Sequence, residues 1–89
     1  MNDAVKITDH AEIRKWAEER GGRPSVVEVT GEDGVGVGVL RFDFGEKDDR
    51  LKPIDWETFF DTFEKKKLAL LAQYTTNGKT SRFFKFIAR

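Results

Sequence analysis

The 89-residue chain has no cysteine, two prolines, one methionine and one histidine. Without cysteine, disulfides, thiolate catalysis and cysteine-based zinc sites are excluded. Stability must come from packing, within the chain or against a second copy. The one histidine, His10, stands beside Asp9 at a predicted helix start, and Ser25 and Ser81 are the only serines. No nucleophile signature surrounds either serine, so a Ser–His–Asp arrangement is not expected, and His10 reads as a solvated first-turn residue. No apolar run approaches the roughly 20 residues that a membrane helix needs. The opening stretch MNDAVKITDH is polar and lacks the apolar centre of a secretory signal. No membrane partner is expected, and the cytoplasm is the expected compartment.

What the chain does contain is 38% hydrophobic and 12% aromatic residues, eight of them phenylalanine, which suits a folded domain with a ring-rich core. Formal net charge is zero, but the charge is unevenly spread. Residues 1–63 carry nine Lys/Arg and fifteen Asp/Glu, whereas residues 64–89 carry seven Lys/Arg and one Glu. A basic end of this kind can meet an anion, or the acidic surface of another protomer.

Residues 1–8 read as a flexible lead-in, and residues 9–89 as one α+β domain. Asp9 is a helix N-cap, with Glu12 three positions on as its capping-box partner. The predicted helix runs from His10 to about Arg20, with Ile13, Trp16 and Ala17 as its apolar stripe. Gly21-Gly22 ends it, and Pro24 prevents resumption. Val26 to Thr30 reads as a strand, GEDG (31–34) as a turn, and Val35 to Phe44 as an alternating second strand. GEKDDRLKP (45–53) reads as a charged connecting loop. Asp55 caps a second helix, WETFFDTFEKKK, with Trp56, Phe59, Phe60 and Phe63 on the buried side. Leu68–Thr75 and Ser81–Ala88 read as a second hairpin around Asn77-Gly78, the strongest two-residue turn signal.

The predicted order is α-β-β-α-β-β, in two helix-plus-hairpin units covering 9–44 and 55–89. Superposing the caps sets Asp9 on Asp55, Ile13 on Phe59 and Ala17 on Phe63. The simplest assembly is a four-stranded, mainly antiparallel sheet with both helices on one face. The other face then carries Val35, Val37 and Val39, a patch that reads as a self-association surface for a homodimer.

The apparent chemical motifs fail on spacing or context. GVGVG (34–38) lies inside a strand, where a dinucleotide loop must link a strand to a helix. Gly78-Lys79-Thr80 ends like a phosphate loop, but position 73 is Gln and a strand follows. Glu46, Asp48 and Asp49 lack calcium-loop spacing. No catalytic, metal or cofactor residue is therefore assigned, and no cofactor is expected. One cluster remains: Lys65, Lys66, Lys67, Lys79, Arg82, Lys85 and Arg89, interleaved with Phe83, Phe84 and Phe86. Charges for phosphates and rings for bases are what a single-stranded nucleic-acid site needs. The competing assignment puts the rings in the core and the lysines at a helix end that favours cations.

The segments DHAEIRKWAEERGGRP (9–24), GVGVLRFDF (36–44), IDWETFFDTFEKKKLALLAQ (54–73) and SRFFKFIAR (81–89) carry a resemblance over nearly the whole chain. It resembles a family of short bacterial proteins of about this length with no established function. Some members carry the label 1,4-alpha-glucan branching enzyme. Branching enzymes use a (β/α)₈ barrel of about 250 residues, and retaining glycosyl transfer needs two carboxylates about 5 Å apart in a sugar cleft. The resemblance thus supplies no catalytic residues here. The expectation is a non-enzymatic binding or interaction module that self-associates. The alternatives are a single-stranded nucleic-acid-binding accessory protein, and a regulator or small enzyme linked to glycogen metabolism.

Overall fold

The structure, a computed structural model, describes residues 4–30 and 36–89, with side chains described for 4–27 and 39–89. The GEDG turn and Val35 lie outside the described residues, as does the side chain of Val37. The class is α+β, with two helices and mostly antiparallel strands among the described residues. No helix among the described residues is long and apolar enough to cross a membrane.

Both helices begin where their caps predict. Helix α1 spans His10–Glu18, and the Asp9 carboxylate accepts the Glu12 N–H at 2.9 Å. Helix α2 spans Trp56–Lys65, and the Asp55 carboxylate accepts the Thr58 N–H at 2.7 Å. A hydrogen bond from the Thr58 hydroxyl, and then this one from its N–H, hold the Asp55 carboxyl below its usual range. Ile13, Trp16 and Ala17 are buried, and so are Phe59 and Phe63. Trp56 and Phe60, predicted on the same buried side, are only half-buried.

The helix ends also match in form. Helix α1 stops at Glu18, two residues short of Arg20. The Gly21 N–H then donates to Glu18 O at 3.1 Å and the Gly22 N–H to Ala17 O at 2.8 Å. This paired closure needs a left-handed residue between helix and exit, and Gly21 supplies it at φ 74°. At the equivalent place after α2, Lys67 takes φ 51°. Gly22 is required for a different reason: a Cβ there would sit 2.8 Å from the Phe44 ring and 3.1 Å from Ala17 O.

The strands depart from the single four-stranded sheet. Strand β1 is Ala4–Ile7, within the stretch predicted as a lead-in. Strands β2 (Arg23–Thr30) and β3 (Gly36–Asp43) form the first hairpin, as predicted. Strand β4, Leu51–Pro53, arises within the predicted loop. Strands β5 (Leu68–Gln73) and β8 (Phe84–Ala88) pair antiparallel. Between them β6 (Thr75–Thr76) and β7 (Lys79–Thr80) form a separate two-stranded ribbon around Asn77 and Gly78. The result is two three-stranded sheets, β1-β5-β8 and β3-β2-β4, plus the ribbon.

The physical reason is edge occupancy. A single sheet requires one hairpin to pair with the other. Instead β4 takes the open edge of β2, and β1 takes the open edge of β5. Each lead strand ends two residues before its helix cap, Ile7 before Asp9 and Pro53 before Asp55. Each then pairs with the other unit's hairpin. The two units are βαββ and exchange their first strands.

One core serves both sheets and both helices: Ile7, Ile13, Trp16, Leu40, Phe42, Phe59, Phe63 and Leu70 all belong to it. Phe42 is its aromatic hub. Its ring centroid lies 5.7 Å from Trp16, 5.4 Å from Phe59, 5.0 Å from Phe84 and 5.6 Å from Phe86. Ring pairs at such separations contribute beyond their buried area.

Arg20 joins α1 to the neck of the ribbon. It is 7% exposed. Its guanidinium donates to Ser81 O, to Trp16 O at 2.8 Å and to Tyr74 O at 2.9 Å, and it lies over the Trp16 ring at 4.5 Å. Burial lowers its pKa. Regular pairing between β5 and β8 stops at Ala72 and Phe84, and beyond it Tyr74 O accepts from both the Ser81 N–H at 3.1 Å and the Arg20 guanidinium. The predicted strand ends at Thr75 and Ser81 are accordingly shorter in the structure.

Candidate anion-binding cleft

Strand β3 places Leu40 and Phe42 inward, so by the two-residue period Arg41 points out. After Phe44 the chain turns, with the Asp43 carboxylate accepting the Gly45 N–H at 2.8 Å. Asp48 then makes a second local turn by accepting the Arg50 N–H at 3.0 Å. The same carboxylate grips the Arg50 guanidinium through two contacts of 3.0 Å each. Arg82, just before β8, lies 5.4 Å from the centre of the Phe44 ring.

These groups face a cleft of about 420 Å³ shared by the two three-stranded sheets. Its cationic walls are Arg41, Arg50 and Arg82, and Glu46 and Asp48 stand among them. Its floor is apolar, formed chiefly by Phe42, Phe44 and Phe84. Such a volume falls within the range of small-molecule sites.

Electrostatics divide the arginines. Hydrogen bonds from Arg50 hold the Asp48 carboxyl below its usual range, and Asp48 in turn raises Arg50. Arg50 and Asp48 therefore largely cancel. Arg41 is near enough to help lower Asp48. Among the described residues, neither Arg41 nor Arg82 makes an ion pair. Two guanidinium charges are left facing the cleft. A guanidinium fork suits phosphate and carboxylate oxygens.

The basic cluster named from the sequence does not form one surface. The β5–β8 register pairs Leu68 with Ala88 and Ala72 with Phe84. Lys65, Lys66, Lys67 and Arg89 thus lie at one end of β8. Lys79 and Arg82 lie beyond its other end, about 13 Å or more away along the strand. Lys85 is exposed between them. Lys65 pairs with Asp61 at 2.9 Å. Arg89 binds Glu64 at 2.7 and 3.1 Å and donates to Leu68 O at 2.9 Å. Phe84 and Phe86 are half-buried against the core, with Phe84 also lining the cleft, and Phe83 is 47% exposed.

His10 is more engaged than a solvated first-turn residue. Its ring stacks on Phe60 at 4.2 Å, and its Nε2 lies 2.8 Å from the Glu64 carboxylate. Of the predicted self-association face, Val39 is 40% exposed at the β3 edge.

Sequence reasoning missed Arg41, Arg50 and Arg20. Arg41 carried a signal, since it interrupts the outward apolar series of β3. The Asp48-x-Arg50 pair carried a weaker one, the local turn that an Asp makes with the residue two on. Compared with known proteins, the chain matches no protein-family model, no curated protein and no solved structure.

Proposed function

We propose that this chain is a non-enzymatic binding module that takes an anionic ligand in the cleft between its two sheets. The observation that carries the reading is the pair of guanidinium groups, Arg41 and Arg82. Both line the cleft, and neither has an ion-pair partner among the described residues. An arginine with no carboxylate partner, beside a concave apolar floor, is suited to an incoming anion.

Calorimetric titration with inorganic phosphate at low salt tests this. Binding should weaken as salt rises, because exposed charges are screened. Arg41→Gln with Arg82→Gln should abolish it, with the thermal unfolding midpoint retained. Salt-insensitive binding, or binding unchanged in that double variant, overturns the reading.

Self-association is a second reading, and β3 favours it. The strand is eight residues long and has β2 as its only partner among the described strands, so one long edge is open. Open edges of this length pair readily with another strand. Val39 stands exposed on it. Light scattering over a concentration series should report a dimer that Val39→Lys disperses. A strict monomer at every concentration removes this reading. The nucleic-acid alternative draws less support, because the basic residues divide between the two ends of β8.

A further inference from the structure

Resting on the anion reading above, we infer that the ligand of the cleft is a nucleoside monophosphate. Three features of the cleft converge on that class. The first is charge. Arg41 and Arg82 supply two guanidinium forks for the oxygens of one phosphate monoester, and with Glu46 beside them the cleft has a net charge of about +1, too little for a longer run of phosphates. Arg50 adds little, because Asp48 already holds it through two contacts of 3.0 Å. Glu46 shares the cleft and opposes any longer run of phosphates.

The second feature is the floor. Phe44 and Phe84 are half-buried, with ring centroids 5.9 Å apart and planes inclined at 54°. The two inclined rings make an apolar corner backed by the buried Phe42 ring, 6.3 Å from Phe44 and 5.0 Å from Phe84. Arg82 lies over the Phe44 ring, so a flat heteroaromatic base is offered the Phe84 ring, which a bare inorganic anion does not use. The third is polarity. The Glu46 carboxylate accepts hydrogen bonds only, which suits the amino group of a base or the hydroxyls of ribose. A volume of 420 Å³ holds one nucleotide.

The test is a calorimetric series on the full chain at fixed low salt, using inorganic phosphate, adenosine, adenosine monophosphate, adenosine triphosphate and a short oligothymidylate. Adenosine monophosphate should bind about tenfold tighter than phosphate, since stacking of one base contributes roughly one such factor. Phe84→Leu should remove most of that advantage while leaving phosphate affinity unchanged. If that variant unfolds, Phe84→Met, which keeps the apolar volume without the flat ring, serves the same purpose.

Equal affinity for phosphate and the monophosphate overturns the nucleotide assignment and leaves the anion reading standing. No binding by either overturns both. Tighter binding of the triphosphate overturns the charge-matching argument. Tighter binding of the oligonucleotide transfers the site to nucleic acid and overturns the inference.

Discussion

The two βαββ units share a plan and spend it differently. In the second, β5 is buried on both faces: Ala69, Leu70 and Ala72 are all fully buried. Its helix contributes Phe59 and Phe63 to the same core. In the first, β3 is buried on one face only, and its outward face carries Val39 and Arg41. The unit that invests in packing has little surface left for chemistry. The unit with a wet strand face supplies Arg41 from the strand itself, whereas Arg50 lies in the connection between the units and Arg82 just before β8. One scaffold thus supports both tasks, because the exchanged first strands tie the wet half to the dry one.

The largest effects should fall where the units are most alike, in the core. Trp16→Ala and Phe59→Ala should each cost about 3–5 kcal/mol by urea denaturation. Trp16 is 1% exposed and also donates to Gln73 O at 2.9 Å; Phe59 is fully buried. Phe60→Ala should cost less, about 1–2 kcal/mol, because its ring is half-buried between His10 and Trp56. A cost for Phe60 equal to that for Phe59 would break the distinction between the two sides of α2.

Next comes a contrast at the helix ends. Under the cap superposition, Arg20 corresponds to Lys66. Arg20→Met should cost about 3 kcal/mol, since three backbone carbonyls lose a charged donor. Lys66→Met, on an exposed side chain, should stay within about 0.5 kcal/mol. Similar costs at both sites would mean that the ribbon does not depend on the buried guanidinium.

How far the sequence shows all this depends on the range of the interaction. The helices were legible because an aspartate cap and an apolar stripe are local, and Asp9, Asp55, Ile13 and Phe59 fell where expected. Both hairpins were legible for the same reason. Strands β1 and β4 were not. Three or four residues carry no usable alternation, LKP contains a proline, and each partner strand lies in the other unit. That omission turned two sheets into one. The cleft was hidden likewise, because Arg41, Arg50 and Arg82 meet only through the tertiary fold. Composition misleads in the opposite direction: the basic C-terminal third groups Arg82 with Lys65–Lys67, which the β5–β8 register holds at the far end of the strand.

A smaller effect should show opposite signs at equivalent positions. Gly21 and Lys67 both sit in the left-handed region, at φ 74° and φ 51°. Gly21→Ala should destabilise by about 1 kcal/mol, because a Cβ is strained there. Lys67→Gly should stabilise by about 0.5–1 kcal/mol, with part of the relief offset by a freer unfolded chain. Equal signs in thermal melts would show that the two helix ends only look alike.

The smallest effect should come from the surface latch that joins the units. Glu64 on α2 accepts from Arg89 at 2.7 Å and meets His10 of α1 at 2.8 Å. Hydrogen bonds from Arg89, then His10, depress its pKa from 4.5 to about 2. A depressed carboxylate contributes stability above its unfolded pKa and loses it as pH falls through the folded one. The contribution is therefore complete above about pH 4.5 and fades toward pH 2. All three side chains reach water, so screening keeps it small. Urea midpoints measured across that window should fall more steeply for the native chain than for Glu64→Gln. They should also flatten at high salt, since the attraction is exposed to ions. Parallel pH profiles for the two proteins would mean that α1 and α2 are held together by the shared ring core alone, with no help from charge.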